Sequence, residues 1–250
     1  MLPELSQPII FAHRGASAHA PENTLASFKL ALTQGTDALE LDARLSADGY
    51  VVICHDPTLH RTTNGTGEIS KKTLAELREL DAGCSFSDKF AGEKIPLLEE
   101  VFETFGKKIF INIELKNYTA PYDQLVEKVC ALVIKHGLED WVLFSSFLAH
   151  NLKKAFRILP KVPRGLLAKD GWMGAWARSF GFTFGEYAAL HPHITDVSMQ
   201  EIHRVHKLKR RVHVWTVNKT EDIKRLNDWG VDGIYTDDPQ SALQALGRRA

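Results

Sequence analysis

Short apolar runs alternate with amphipathic helical patterns along the chain, and this alternation limits the fold more than any other feature. The runs read as strands are "PIIFAH" (8–13), "DALELDA" (37–43), "YVVICH" (50–55), "KIFINIEL" (108–115), "WVLFSS" (141–146), "RGLLA" (164–168), "YAAL" (187–190), "RVHVWTV" (211–217) and "GIYT" (233–236). Strand, helix and strand in repetition mark βα units on a mainly parallel sheet. Eight of the nine runs fit that order; the extra one, 50–55, follows "SADG" (46–49), a hairpin-like turn. Eight βα units in 250 residues match one TIM (β/α)8 barrel, so a single domain over 1–250 is expected in place of an open sheet.

The helices carry their own end signals. "TLASFKLALTQG" sets Leu25, Phe28 and Leu32 on one face and stops at Gly35. Ser198 and Glu201 have capping-box spacing, with Val197 and Ile202 placed as a hydrophobic staple. "TEDIKRLNDWG" stops at Gly230, and "DDPQSALQAL" starts with Asp238 as N-cap and Pro239 at the first helical position. One connection is oversized. Residues 56–107 hold two helical patterns, "SKKTLAELREL" and "LLEEVFETFG", with "DAGCSFSDKFAGEKIP" between them. That is far more than a βα turn needs. The segment is expected to lie over the strand ends as an inserted cap between the second and third barrel strands.

Composition narrows the partners. The chain has 31 basic and 31 acidic residues, so binding to nucleic acid or a membrane surface by charge excess is not expected. Any anion must be held by a local site. Cys54, Cys84 and Cys130 match no metal or redox spacing and are read as reduced thiols of a cytosolic protein. "MLPELSQPIIFAHRG" lacks the basic start and long apolar centre of a signal peptide. No apolar run nears the ~20 residues of a membrane helix. A cytoplasmic protein without stable membrane association is expected.

Strand residues two apart share a face. Ile9, Phe11 and His13 align, as do Glu40 with Asp42, and Val51 and Ile53 with His55. In the next run Asn112, Glu114 and Lys116 share the face opposite Ile111, Ile113 and Leu115. Each set puts charge or imidazole at the C-terminal end of its strand, where barrel active sites are built. Glu40, Asp42 and Glu114 would repel one another there without a cation. All-oxygen ligation favours Mg²⁺ or Ca²⁺ over zinc. The plainer alternative is structural ion pairing with Arg14, Arg44 and Lys116. Two carboxylate motifs on neighbouring strands, Glu-x-Asp and Glu-x-Lys, favour the metal.

Arg14 offers a planar fork and Lys116 a point charge, which together with the cation describe a phosphate-ester site. His13 and His55 then serve as general base and general acid. The other histidines are read as surface or structural. His60, His136, His150, His203 and His206 fall in loops or on helix surfaces, and His213 lies mid-strand. His191, in "LHPHITD", follows a strand end within approach of the site.

These residues resemble the glycerophosphodiester phosphodiesterase family, of the bacterial cytosolic type. The resemblance rests on "HRG" (13–15), "PENT" (21–24), "ELDARLSADGYVVICHD" (40–56), "IELK" (113–116), "VWTVN" (214–218) and "VDGIYTDDP" (231–239), in that order and spacing. It implies a TIM barrel with a cap that hydrolyses glycerophosphodiesters to glycerol 3-phosphate and an alcohol. It implies His13 and His55 as the acid–base pair, and one Mg²⁺ or Ca²⁺ on Glu40, Asp42 and Glu114. Arg14 and Lys116 would contact phosphate, and Trp215 on the seventh barrel strand would wall the glycerol carbons. Glu22 and Asn23 stand near the site in such a family, or else begin a helix with Asn23 as its cap.

Three rival readings are weighed against this one. A phospholipase- or sphingomyelinase-D-like barrel acting on lysolipid head groups would need an apolar surface near the mouth, and the polar insertion does not offer one. A non-catalytic barrel binding phosphorylated ligands would have lost its histidines or carboxylates, and here all are present. A sugar-phosphate isomerase or aldolase would want a catalytic lysine or enediolate base in place of paired histidines.

Overall fold

A strand covered by helices on one side and by a barrel interior on the other needs apolar residues at nearly every position. That is why most of the runs read as continuous, whereas "ALELDARL" and "FINIEL" alternate apolar with charged or polar residues. The computed structural model describes residues 5–248. Its strands are β1 (Ile9–Ala12), β2 (Ala38–Leu45), β3 (Val51–Ile53), β4 (Phe110–Leu115), β5 (Val142–Ser146), β6 (Arg164–Ala168), β7 (Ala189–Pro192), β8 (Arg211–Val214) and β9 (Gly233–Thr236). Its α-helices are α1 (Leu25–Thr33), α2 (Leu74–Glu79), α3 (Leu98–Phe105), α4 (Leu125–His136), α5 (Ala149–Ile158), α6 (Met199–Lys207), α7 (Thr220–Asp228) and α8 (Pro239–Ala245). Parallel pairing runs β1-β9-β8-β7-β6-β5-β4-β2 and closes because β1 also pairs with β2. The fold is the expected TIM barrel, with β3 antiparallel on the outer end of β2. No helix among the described residues is long and apolar enough to cross a membrane.

Alternation sorts each strand into two layers. Ile10, Ala12, Leu39, Leu41, Ile111, Ile113 and Leu115 join the large core between strands and helices. Ile9, Phe11, Ala38, Phe110, Leu143 and Ala189 fill the barrel interior as an apolar floor. The next inward positions towards the C-terminal ends are Glu40, Asp42, Asn112 and Glu114. The interior therefore changes from apolar to charged along its axis. Phe28 of α1, fully buried, meets Phe105 of α3 edge to face at 6.1 Å. Burying one such ring is worth roughly 1.5–3 kcal/mol.

Several boundaries differ from the sequence reading. The strand expected at 187–190 lies at Ala189–Pro192, so His191 sits within it. β2 runs on to Leu45 because β3 extends its ladder, pairing Arg44 with Val52 and Leu45 with Val51. The segment 56–107 divides. Leu59, Ile69, Leu77, Ala82 and Ile95 form a small cluster with Val52 and Cys54, whereas α3 packs into the barrel core. Leu32, expected on the buried face of α1, is 37% exposed. Between β6 and β7 a 3₁₀ turn (Gly171–Gly174) and a π-helical turn (Ala177–Gly181) stand where other units carry an α-helix.

Candidate active site

The register of β2 against β4 sets Asp42 beside Glu114 and Glu40 beside Asn112. One oxygen each of Glu40, Asp42 and Glu114 falls within 4.8 Å of the others, and all three residues are buried. Lys116 Nζ is 3.1 Å from Glu114 Oε1, and Arg14 Nε is 3.5 Å from Asp42 Oδ2. Three buried carboxylates thus face two cations. Burial, then Asp42 and Glu114, push the pKa of Glu40 well above the usual carboxylate range. Burial would raise Asp42 too, but Lys116, Arg14 and His55 outweigh it and hold that carboxyl below its ordinary value. Lys116 Nζ lies 3.4 Å from Asp42 Oδ1 without a hydrogen bond, so this buried oxygen lacks a hydrogen-bond partner among the described residues. An all-oxygen set with surplus negative charge and an unsatisfied oxygen fits a hard divalent cation.

The "HRG" turn places backbone as well as side chains. Arg14 has φ +58°, a left-handed conformation uncommon outside glycine, and its amide donates to Glu40 Oε2 at 2.9 Å. Gly15 follows at φ +85°, where a Cβ would stand 2.3 Å from Ser27 Oγ. Asn23 is left-handed as well, at φ +57°. Its Nδ2 donates to Asp42 Oδ2 at 2.8 Å, and its Oδ1 accepts from the Asp42 amide at 3.3 Å. Asn23 is therefore not the helix cap; Thr24 caps α1 by accepting from the Ser27 amide. Non-glycine residues held left-handed persist where the surroundings enforce them, and such positions cluster at functional sites.

Both histidines have one ring nitrogen held by a carboxylate. His13 Nδ1 is 2.7 Å from Asp237 Oδ1, and His55 Nδ1 is 2.6 Å from Asp56 Oδ1. An ionised carboxylate only accepts, so Nδ1 carries the hydrogen and Nε2 is the free nitrogen. Burial would raise Asp237, but bonds from His13, Asn218 and Ser17 bring it down to about 2. Asp56 Oδ2 accepts from Arg61 Nε at 2.6 Å, and Arg61 binds Glu22 through two further contacts of 2.7 Å. Glu22 in turn accepts from Arg14 at 3.0 Å. Burial is the main cause that lowers the pKa of His55, with Lys116 and Arg14 adding to it.

His13, Arg14, Glu40, His55, Glu114, Lys116 and Trp215 line one cavity of about 190 Å³, and Asp42 lies buried behind them. Phe147, Leu167 and Trp215 form its apolar side. Trp215 is fixed by its indole nitrogen donating to the His191 carbonyl at 2.8 Å. His191 itself does not reach the cavity. It is fully buried in the barrel interior, 3.2 Å from His213 Nδ1 and 3.2 Å from the Tyr235 hydroxyl. Burial takes its pKa to about 3.

Arg44, weighed as a partner of the carboxylates, binds the carbonyls of Cys54, His55 and Lys116 instead. It thereby anchors the backbone of His55. The three cysteines are free, and burial raises Cys54 to about 11 and Cys130 to about 12, so both stay thiols. The sequence reading missed Asp56, Asp237, Arg61 and Tyr118, whose hydroxyl donates to Glu114 Oε1 at 2.6 Å. Asp56 adjoins His55 and Asp237 follows β9, so strand-end position was the available signal for both. Arg61 and Tyr118 carried none.

Fixed cations suit an anionic ester, and carboxylate-held imidazoles suit proton transfer, so fold and site together define a TIM-barrel hydrolase for phosphate esters. The family model described as Glycerophosphoryl diester phosphodiesterase family matches residues 13–241. A glycerophosphodiester phosphodiesterase of Caldanaerobacter subterraneus subsp. tengcongensis is 39% identical over 239 residues, covering 95% of this chain and 97% of that protein. A phosphodiesterase of Oleispira antarctica, solved in complex with the product sn-glycerol-3-phosphate, superposes with a TM-score of 0.85 at 34% identity, covering 96% of this chain and 97% of its own. A protein of Silicibacter pomeroyi described as a glycerophosphoryl diester phosphodiesterase also superposes at 0.85, with 28% identity over 96% of this chain and 94% of that one. The chain belongs to the glycerophosphoryl diester phosphodiesterase family and is a phosphodiesterase.

Proposed function

We propose that this enzyme hydrolyses glycerophosphodiesters to sn-glycerol 3-phosphate and an alcohol, with His13 and His55 moving the protons. The observation that carries this is the pair of imidazoles on one cavity, each held at Nδ1 by its own aspartate. Cleavage at phosphorus needs a proton taken from the attacking hydroxyl and another given to the leaving alkoxide. Two rings with free Nε2 atoms, beside Arg14 and Lys116, can divide that work. The product bound in the Oleispira protein supports the glycerol 3-phosphate assignment.

Arg14 and Lys116 bind the phosphate in this reading and offset the charge that grows in the transition state. Trp215, Phe147 and Leu167 exclude water from the glycerol side. Glu40, Asp42 and Glu114 would hold Mg²⁺ or Ca²⁺, which supplies Lewis-acid polarisation of a phosphate oxygen when bound. The segment following His55 acts as the cap, since it contributes Asp56 and Arg61 to the network behind the imidazole. A cytoplasmic location belongs to the same reading and is supported by three cysteines that all remain free thiols.

The test is release of glycerol 3-phosphate from a panel of glycerophosphodiesters, with EDTA and with each metal restored. Release that EDTA abolishes and Mg²⁺ or Ca²⁺ restores is the expected result. No release under any condition overturns the function, and release indifferent to EDTA overturns the metal.

A further inference from the structure

Three buried side chains form a hydrogen-bonded chain through the barrel interior, and the chemistry described so far leaves them unused. The Tyr235 hydroxyl is 3.2 Å from His191 Nδ1, and His191 Nε2 is 3.2 Å from His213 Nδ1. The fold keeps room for these rings. A Cβ at Gly165 would stand 2.1 Å from His191 Nε2, and one at Gly233 would stand 2.8 Å from the His213 ring. Phe11 stacks on Tyr235 with centroids 4.5 Å apart and meets His213 at 5.2 Å. At one end of the chain Tyr235 lines the catalytic cavity. At the other, Arg211 begins β8 and shares its inward face with His213.

Burial keeps both imidazoles neutral. It takes His191 to about 3 and, with His191 and Arg211 adding to it, holds His213 well below its ordinary value. A neutral imidazole has one N–H and one bare nitrogen, so the chain can run in only two directions. In the first, Tyr235 donates to His191, His191 Nε2 donates to His213, and a hydrogen is left on His213 Nε2. In the second, His213 Nδ1 donates to His191 Nε2, and His191 Nδ1 donates to the Tyr235 oxygen. The Tyr235 hydrogen is then free for the cavity.

The charges at the two ends favour the second direction. His213 Nε2 and Arg211 Nη1 are both buried without a hydrogen-bond partner among the described residues. A bare nitrogen suits a nearby guanidinium, whereas an N–H does not. At the cavity end, Glu40 and Glu114 add to burial in raising the Tyr235 pKa well above its ordinary value. Negative charge there attracts a hydrogen and repels a lone pair. Neither carboxylate is bonded to Tyr235: Glu114 Oε1 accepts from Lys116 and Tyr118, and Glu40 Oε2 accepts from the Arg14 amide.

We propose that the Tyr235 hydroxyl donates to an oxygen of the phosphate ester in the cavity, aimed there by His191 and His213; this rests on the phosphodiesterase reading above. Tyr235 is then a third group on phosphate, beside Arg14 and Lys116. The two histidines are positioning residues that never touch substrate. No proton leaves the phenol, whose raised pKa keeps it a donor throughout.

Nitrogen-15 NMR of the labelled wild type reads the chain directly, with the two signals assigned through His191→Asn and His213→Asn. Both rings should carry hydrogen on Nδ1 and none on Nε2. Hydrogen on Nε2 of either ring overturns the direction and the proposal with it. Tyr235→Phe keeps the ring and removes the hydroxyl alone. Its affinity for sn-glycerol 3-phosphate, measured by calorimetry, should fall roughly 10- to 100-fold, the cost of losing a hydrogen bond to a charged group. Its kcat/KM for glycerophosphodiesters should fall at least as far. A hydroxyl that only packs the barrel would move the melting temperature and leave both constants alone, and that result overturns the proposal. If Tyr235→Phe does not fold, the wild-type tautomers still decide. A wild type that cleaves no glycerophosphodiester fails the phosphodiesterase reading, whatever its tautomers. Cleavage by Tyr235→Phe equal to that of the wild type fails the Tyr235 contact alone.

Discussion

Nδ1 of His13 lies 2.7 Å from Oδ1 of Asp237 across a separation of 224 residues, joining the end of the first barrel strand to the end of the last. The bond exists because β1 pairs with β9, Ala12 opposite Thr236, so the residues just beyond both strands meet at the mouth. A ring nitrogen held in this way stays in one tautomer and one orientation.

Asp237→Asn removes the charge that holds His13. Its kcat should fall, by less than the roughly 10²–10⁴-fold that loss of a catalytic histidine costs. KM should change little. The same variant has a stability signature. The folded Asp237 pKa, about 2, lies below its ordinary 3.8, so the stabilisation is present above 3.8 and is lost as pH falls through about 2. Urea midpoints of wild type and variant should differ by a constant amount above that window and converge within it.

His13→Ala and His55→Ala should each lower kcat by roughly 10²–10⁴-fold with the fold intact. Residues that act as a unit are not additive, so the double variant should be little worse than the poorer single one. Steady-state turnover with circular dichroism checks both statements. A single variant of near wild-type kcat would remove that histidine from the chemistry.

Asn23 grips Asp42 from both its amide atoms without touching the cavity itself. Asn23→Ala frees a carboxylate of the proposed cation site. The concentration of Mg²⁺ or Ca²⁺ giving half activity should rise about 10- to 100-fold, the usual cost of losing a group that orients a metal-binding residue. Maximal kcat at saturating metal should fall far less. Metal titration of activity, paired with calorimetric binding, separates the two effects.

Gly165 leaves no room for a methyl group. A Cβ there would stand 2.1 Å from His191 Nε2, and that ring is pinned by Tyr235 and His213. Gly165→Ala should destabilise the protein by about 1–3 kcal/mol, the ordinary cost of overpacking a core. Chemical denaturation reads it directly, and an unchanged midpoint would show that the ring can yield.

Much of the site could be read from the chain because strands alternate. Once "ELDA" and "FINIEL" are strands, Glu40, Asp42, Asn112 and Glu114 must share the interior with one another and not with Leu41 or Ile113. The same rule put His13 above Phe11. It failed at His191, because the strand begins two residues later than the apolar run implies. The cause is pairing: Gly165 sits opposite Ala189 and Ala168 opposite Pro192, and that ladder draws His191 into the interior. Asn23 failed for another reason. Its side chain suits a helix cap equally well, and only the left-handed turn beneath it sends the amide to Asp42 instead.

The order of apolar runs and helix signals sufficed for the barrel, and strand periodicity sufficed for the carboxylate cluster. Both follow from interactions between near neighbours in the chain. Asp237 behind His13, Arg61 behind Asp56 and the imidazoles behind Tyr235 were decided only by the closed barrel. Periodicity states which way a side chain points, whereas its partner is set by strand register and barrel closure, which bring together residues that the sequence holds far apart.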